Sequence, residues 1–140
     1  MLTMERSASR RPLLAILMAI IAVPFGLLTL KAGGSVLFID GPARVAAGNY
    51  VPFVLWFNFL AGFAYVIAGF GLYLWRGWAV KLSQLIALAT VLVFVAFGLH
   101  ILIGGSYELR TIGAMSLRSV LWLTIAFVSN RAWKPEKPYQ

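Results

Sequence analysis

Apolar residues in the 140-residue chain fall in four long, nearly unbroken runs. The first is Pro12 to Leu30. At about 1.5 Å per residue it reaches roughly 28 Å as a helix, close to the ~30 Å hydrocarbon core of a bilayer. Pro12 suits the first helical turn, where its missing N–H is not needed, and Pro24 predicts a kink. The second run is about Tyr50 to Trp75, the third Ala79 to Ile103, and the last Ile112 to Ser129. Only Arg76-Gly77-Trp78 separates the second run from the third, so these two spans must form an antiparallel hairpin. A longer connection joins the first to the second, with Asp40-Gly41-Pro42 as a strong turn signal. Within it, Val36-Leu37-Phe38-Ile39 fits either a continuation of the first helix or a segment lying in the interface.

Composition agrees with this pattern. The chain is 61% apolar and 11% charged, with a mean hydropathy of +0.89, whereas an ordinary soluble domain carries about 25% charged residues. Too few polar side chains are present to cover a water-facing surface. A soluble globular enzyme, a disordered chain and a coiled coil are therefore excluded as readings. The expectation is an all-α integral membrane four-helix bundle over residues 12–129. A basic segment, 1–11, precedes it, and a tail, 130–140, follows, where Pro135 and Pro138 predict disorder. Arg6, Arg10 and Arg11 ahead of an apolar run also suit a signal peptide. The run is too long for that, however, and Leu30-Lys31-Ala32-Gly33-Gly34 makes only a weak cleavage-like ending.

Charge orients the bundle. An even number of spans puts both termini on one side. That side holds Arg6, Arg10, Arg11, Arg76, Lys81, Arg131, Lys134 and Lys137, against Lys31, Arg44, Arg110 and Arg118 on the other. Eight against four places both termini in the cytoplasm. Trp75, Trp78 and Trp133 suit interfacial anchoring on the same side. The net charge of +8 and pI near 10.5 then reflect basic flanks held against anionic lipid rather than nucleic-acid binding. The expected surroundings are a lipid bilayer, with a membrane-protein partner or further copies of the chain as the open alternatives. There is no cysteine and one histidine, which removes thiolate metal sites, covalent haem attachment and bis-His haem within one chain.

Charge inside a bilayer costs roughly 2.5–3.5 kcal/mol on insertion scales, so each polar residue within a span is informative. Arg118 lies in the interior of the fourth span. Either it snorkels to the outer interface or it faces the bundle and pairs with an acid, for which Glu108 is the nearer candidate. His100 near the end of span three suits a packing residue or a proton-active, ligand-binding group. Asn58 in span two suits an interhelical hydrogen bond. Lys31 ends span one. Lys31, Asn58, His100, Glu108 and Arg118 share a depth, in the outer half of the bilayer or at its edge. Together they form a candidate ligand-binding pocket facing outward. Glu108 with His100 is the one acid–base pair the chain offers, across the Gly104-Gly105 turn.

In span two, Ala61, Ala64, Ala68 and Gly71 place small residues along one helix stripe, with Gly62 and Gly69 off it. Such a stripe allows close helix–helix packing, within the chain or between copies. The remaining Tyr and Trp content is accounted for by interfacial belts. No phosphate loop, His-Glu-x-x-His, nucleophile elbow or acid pair within a span is present.

Gly26-x4-Lys31 closing span one, Asn58-x3-Gly62-x6-Gly69 in span two, and the Arg76…Ala79 hairpin leading to His100 form a further pattern. Over about residues 27–100 the chain resembles the DoxX-like family of small four-helix bacterial membrane proteins. The resemblance implies a four-helix bundle in a bacterial inner membrane and, in some relatives, association with quinone-linked oxidoreductase subunits. The family commonly has an acid near the Asn58 position, and the Arg118 span departs from its usual small-residue ending.

Three functions follow as expectations. The first is a non-catalytic membrane subunit or small-ligand-binding bundle, with quinone or lipid as candidate ligands. The second is an accessory to a quinone-linked oxidoreductase, with His100 and Arg118 at the head group. The third is a small oligomeric transporter or channel, for which the inner half offers only Thr29, Ser83, Gln84 and Thr90 as a polar route.

Overall fold

The computed structural model describes residues 12–133. These residues are helical, with no strands among them. They comprise α1 (Leu13–Phe38), α2 (Pro42–Ala47), α3 (Pro52–Tyr73), α4 (Gly77–Leu102) and α5 (Leu109–Ala132). All but α2 are long and apolar enough to cross a membrane. The long helices alternate in direction. Residues near Ala22 and Val23 meet Gly69 while Gly33 meets Phe59, so α1 and α3 run antiparallel. Gly71 against Ala79 and Phe53 against His100 show the same for α3 and α4.

The helix ends depart from the sequence expectation for local reasons. α1 runs on through Val36–Phe38, because nothing breaks it before the Asp40-Gly41-Pro42 turn. Its last carbonyls are capped from α2, where Arg44 donates from Nε to Val36 O (2.9 Å) and from Nη2 to Leu37 O (3.0 Å). The short α2, absent from the sequence reading, starts with Pro42 in its first turn and ends at Gly48. α5 continues to Ala132, which brings Asn130–Ala132 into the helix rather than the tail. The basic segment 1–11 and residues 134–140 lie outside the described residues.

Two turns show how the long helices stop. After α4, Gly104 takes a positive φ of 89°. Gly105 N–H then bonds to His100 O and Gly104 N–H to Ile101 O, a Schellman closure with glycine at the left-handed position. After α3 the same pair of bonds forms, from Arg76 N–H to Gly71 O and Trp75 N–H to Leu72 O. Here the left-handed residue is Trp75, at φ 53°. A side chain there costs roughly 1–2 kcal/mol. The ring packs edge-on against Trp133, at 5.5 Å between centroids, and this contact offsets part of that cost.

Burial is inverted relative to a soluble bundle. Leucines such as Leu17, Leu60 and Leu85 face outward, while Ala15, Ala22, Ser83, Thr90 and Ser129 are buried. Two of the buried hydroxyls are satisfied along their own helices, Ser83 Oγ donating to Ala79 O (2.8 Å) and Thr90 Oγ1 to Ile86 O (2.7 Å). The larger core joins Met18, Ala22, Tyr65, Ala68, Leu72, Ile86, Trp122 and Ile125. A smaller one at the opposite end joins Val51, Val54, Phe97 and Met115.

Small residues set the contact between α1 and α3. A methyl group built on Gly26 would stand 2.8 Å from Val66 Cγ2 and 2.9 Å from Gly62 O; one on Gly62 would stand 2.9 Å from Leu30 Cγ. Gly69 is closed by Val23 in the same way. These glycines therefore allow the two backbones to approach. Along the Ala61, Ala64, Ala68, Gly71 stripe, Ala68 lies in the core and Gly71 is packed under Trp78 and Ala79, with Ala61 and Ala64 against the core's edge. The stripe is used within the chain.

Candidate functional site

At the end opposite the Trp75 turn the helices part around a cavity of about 610 Å³. Its walls come from the last turns of α1, from α2, and from the first turns of α3 and α5; α4 contributes none of the lining. α2 roofs it with Ala43, Ala46 and Ala47. Three attachments hold that roof. Arg44 ties it to α1, as described. Asn49 N–H donates to Glu108 Oε1 (2.8 Å), and Arg110 Nη2 donates to Ala46 O, tying it to the start of α5. Gly48, at φ 62°, lies against the Glu108 carboxylate with no room for a side chain.

Four of the five predicted residues line this cavity: Lys31, Asn58, Glu108 and Arg118. Helix phase explains the convergence. Lys31 is near the end of α1, Asn58 two turns into α3, and Arg118 nine residues past the start of α5. That places Arg118 roughly 13 Å down the helix axis. His100 is not among the lining residues. Its Nε2 is 3.1 Å from Ser106 O, its ring meets Phe53 edge-on, and Gly105 lies directly against it. The closed turn after α4 turns the imidazole toward its own loop and away from α1 and α5.

Arg118 faces the bundle rather than the interface. Its guanidinium lies over the Phe25 ring, 5.6 Å from the centroid, beside the Tyr65 hydroxyl. The expected ion pair with Glu108 does not form among the described residues, because the Glu108 carboxylate is engaged by the Asn49 N–H. The expected pairing of Glu108 with His100 is likewise replaced by a bond from each to backbone. Asn58 makes no interhelical hydrogen bond; its Oδ1 is buried and unpartnered. Among the described residues the one ion pair joins Arg44 and Asp40, at 3.7 Å.

Comparison with protein-family models, with curated proteins and with solved structures gives no match. The site is therefore read from its own chemistry. Beneath the cavity stands a group that the sequence reading assigned to interfacial belts. Tyr65 is fully buried and stacks between Phe25 (5.6 Å) and Trp122 (4.8 Å), and Trp122 is fully buried as well. Among the described residues, Tyr65 OH, Trp122 Nε1, Ser119 Oγ and Arg118 Nε are enclosed without a well-formed hydrogen bond. Enclosed polar atoms of this kind are rare in folded proteins and costly. Here they cluster where three helices meet. The signal in the sequence was position: both aromatics fall mid-span, away from either interface.

Proposed function

We propose that the chain is a multi-pass membrane protein, with both termini on the cytoplasmic side, that holds a small ligand in the cavity at its outer end. The observation that carries this reading is the cavity itself. In a chain with 11% charged residues, Lys31, Glu108, Arg110 and Arg118 all line one hollow. Its volume falls within the roughly 300–1,000 Å³ typical of small-molecule sites. The outward-facing leucines favour lipid as the solvent around it. His100 and Glu108, the groups an acid–base mechanism would use, are each bonded to backbone. That favours binding over catalysis, as a ligand-holding protein or a non-catalytic subunit of a larger membrane assembly.

Native mass spectrometry of the protein purified in a mild detergent tests the reading. The wild type and Arg131→Leu are expected to retain a non-protein mass, and Arg118→Leu to lose it. Arg131 is exposed at the far end of α5, so it controls for general loss of charge. Equal retention by all three proteins, or no retained mass in any, would remove the case for the site.

A further inference from the structure

We infer that the ligand is an amphiphile with an anionic head, its charge held by Lys31 and Arg118 and its apolar tail leaving the cavity past Leu28. This rests on the reading that the cavity binds a small molecule, and adds the class of that molecule.

The charge balance comes first. Three cations and one carboxylate line the hollow: Lys31, Arg110 and Arg118 against Glu108. Glu108 accepts the Asn49 N–H and Arg110 donates to Ala46 O, so both are fixed at the roof; neither bond removes a charge, and the lining keeps an excess of two positive charges. Lys31 and Arg118 have no acidic partner among the described residues. For Arg118, half-buried with its Nε enclosed, a charge without a counter-charge is unfavourable and an incoming anion relieves that cost, while the exposed Lys31 adds its charge to the same hollow.

The second point is which atoms remain open. On Arg118 the buried, unpartnered atom is Nε; on Asn58 it is Oδ1. Among the described residues Asn58 Nδ2 has no hydrogen-bond partner, and the only polar side chain set against the rest of the Arg118 guanidinium is the neutral Tyr65 hydroxyl. With the Lys31 ammonium these groups are donors, and they share the hollow with the Glu108 carboxylate and the Ser35, Tyr50 and Thr111 hydroxyls. Donors from three different helices converging on one space suit an acceptor-rich head such as phosphate, and the planar guanidinium suits its paired oxygens.

The third point separates an amphiphile from a free anion. Away from these donors the wall is Leu28, Ala32, Val36, Leu55 and Ala114. Leu28 is also 65% exposed on the outside of α1. The apolar lining is therefore continuous with the apolar outer surface, which gives a tail a path out of the cavity without entering water.

Binding of dodecyl phosphate to the full chain, purified in a non-ionic detergent and followed by native mass spectrometry, tests this. Inorganic phosphate and dodecyltrimethylammonium serve as the head-only and opposite-charge probes. We expect saturable binding of one dodecyl phosphate and none of the other two at the same concentration. Lys31→Gln and Arg118→Gln should each weaken it about ten- to hundred-fold, the range for a hydrogen bond to a charged group, and Arg131→Gln should leave it unchanged. Lys31 is exposed, so its variant tests the inference even if the Arg118 variant is poorly folded. Equal binding of dodecyltrimethylammonium, or indifference to both variants, overturns the anionic head while leaving a cavity that binds. Inorganic phosphate binding as tightly as dodecyl phosphate overturns the tail. Failure of every probe, with no retained mass in the native protein, fails the underlying reading as well.

Discussion

The two ends of this bundle are built from the same four long helices and solve opposite problems. From mid-span to the Trp75 end, small residues bring the backbones together, and Tyr65, Leu72 and Trp122 fill what remains. At the other end the helices separate, a short helix bridges the gap, and charged side chains line the opening. The packed end gains stability from dispersion and close approach. The open end gives that up around the cavity, where a few polar ties hold it, and keeps only the smaller core of Val51, Val54, Phe97 and Met115. Stability and binding are thus divided along the length of the molecule, and substitutions at the two ends should have separable effects.

The largest loss is expected from Trp122→Ala. Removing a fully buried indole from the stack with Tyr65 should cost about 3–5 kcal/mol, read as a lowered unfolding midpoint in detergent. Gly26→Val comes next. Its side chain would meet Val66 and the Gly62 carbonyl, and overpacking of this kind costs about 1–3 kcal/mol. If Gly26→Val were neutral, the close α1–α3 contact would not be what holds this end.

At the open end the effects shrink. Arg44→Ala removes the donors to Val36 O and Leu37 O and should cost about 1 kcal/mol. It should also speed amide exchange at the end of α1 and in α2, while residues near Trp122 stay protected. Smallest is Lys31→Gln, within about 0.5 kcal/mol of wild type in stability, as for an exposed position. A large destabilisation by Lys31→Gln would show that the cavity end carries structural weight, and would erase the contrast.

How much of this could be read from the sequence depended on what fixed each feature. The four long helices were legible because runs of apolar residues of that length leave the backbone no other way to satisfy its hydrogen bonds in lipid. The end of α1 was open to two readings, and the six residues of α2 are too few to show a period. That Lys31, Asn58, Glu108 and Arg118 gather toward one end of the bundle was legible because rise per residue fixes position along a helix. Their pairing was not. Whether Glu108 meets Arg118 or Asn49 depends on the loop around Gly48, and whether His100 faces α1 or its own loop depends on the turn at Gly104. The alanine stripe drew attention away from Gly62 and Gly69, which face α1, because a stripe shows spacing and not the neighbour it meets. Packing against α1 accounts for those glycines.

The bridging helix α2 decides how wide the open end stands, since it is tied to α1 through Arg44 and to α5 through Arg110 and the Asn49–Glu108 bond. Its length is independent of any span. A variant that gained or lost a turn there would resize the chamber while the four long apolar helices stayed as they are, so the capacity of this scaffold is adjustable without touching them.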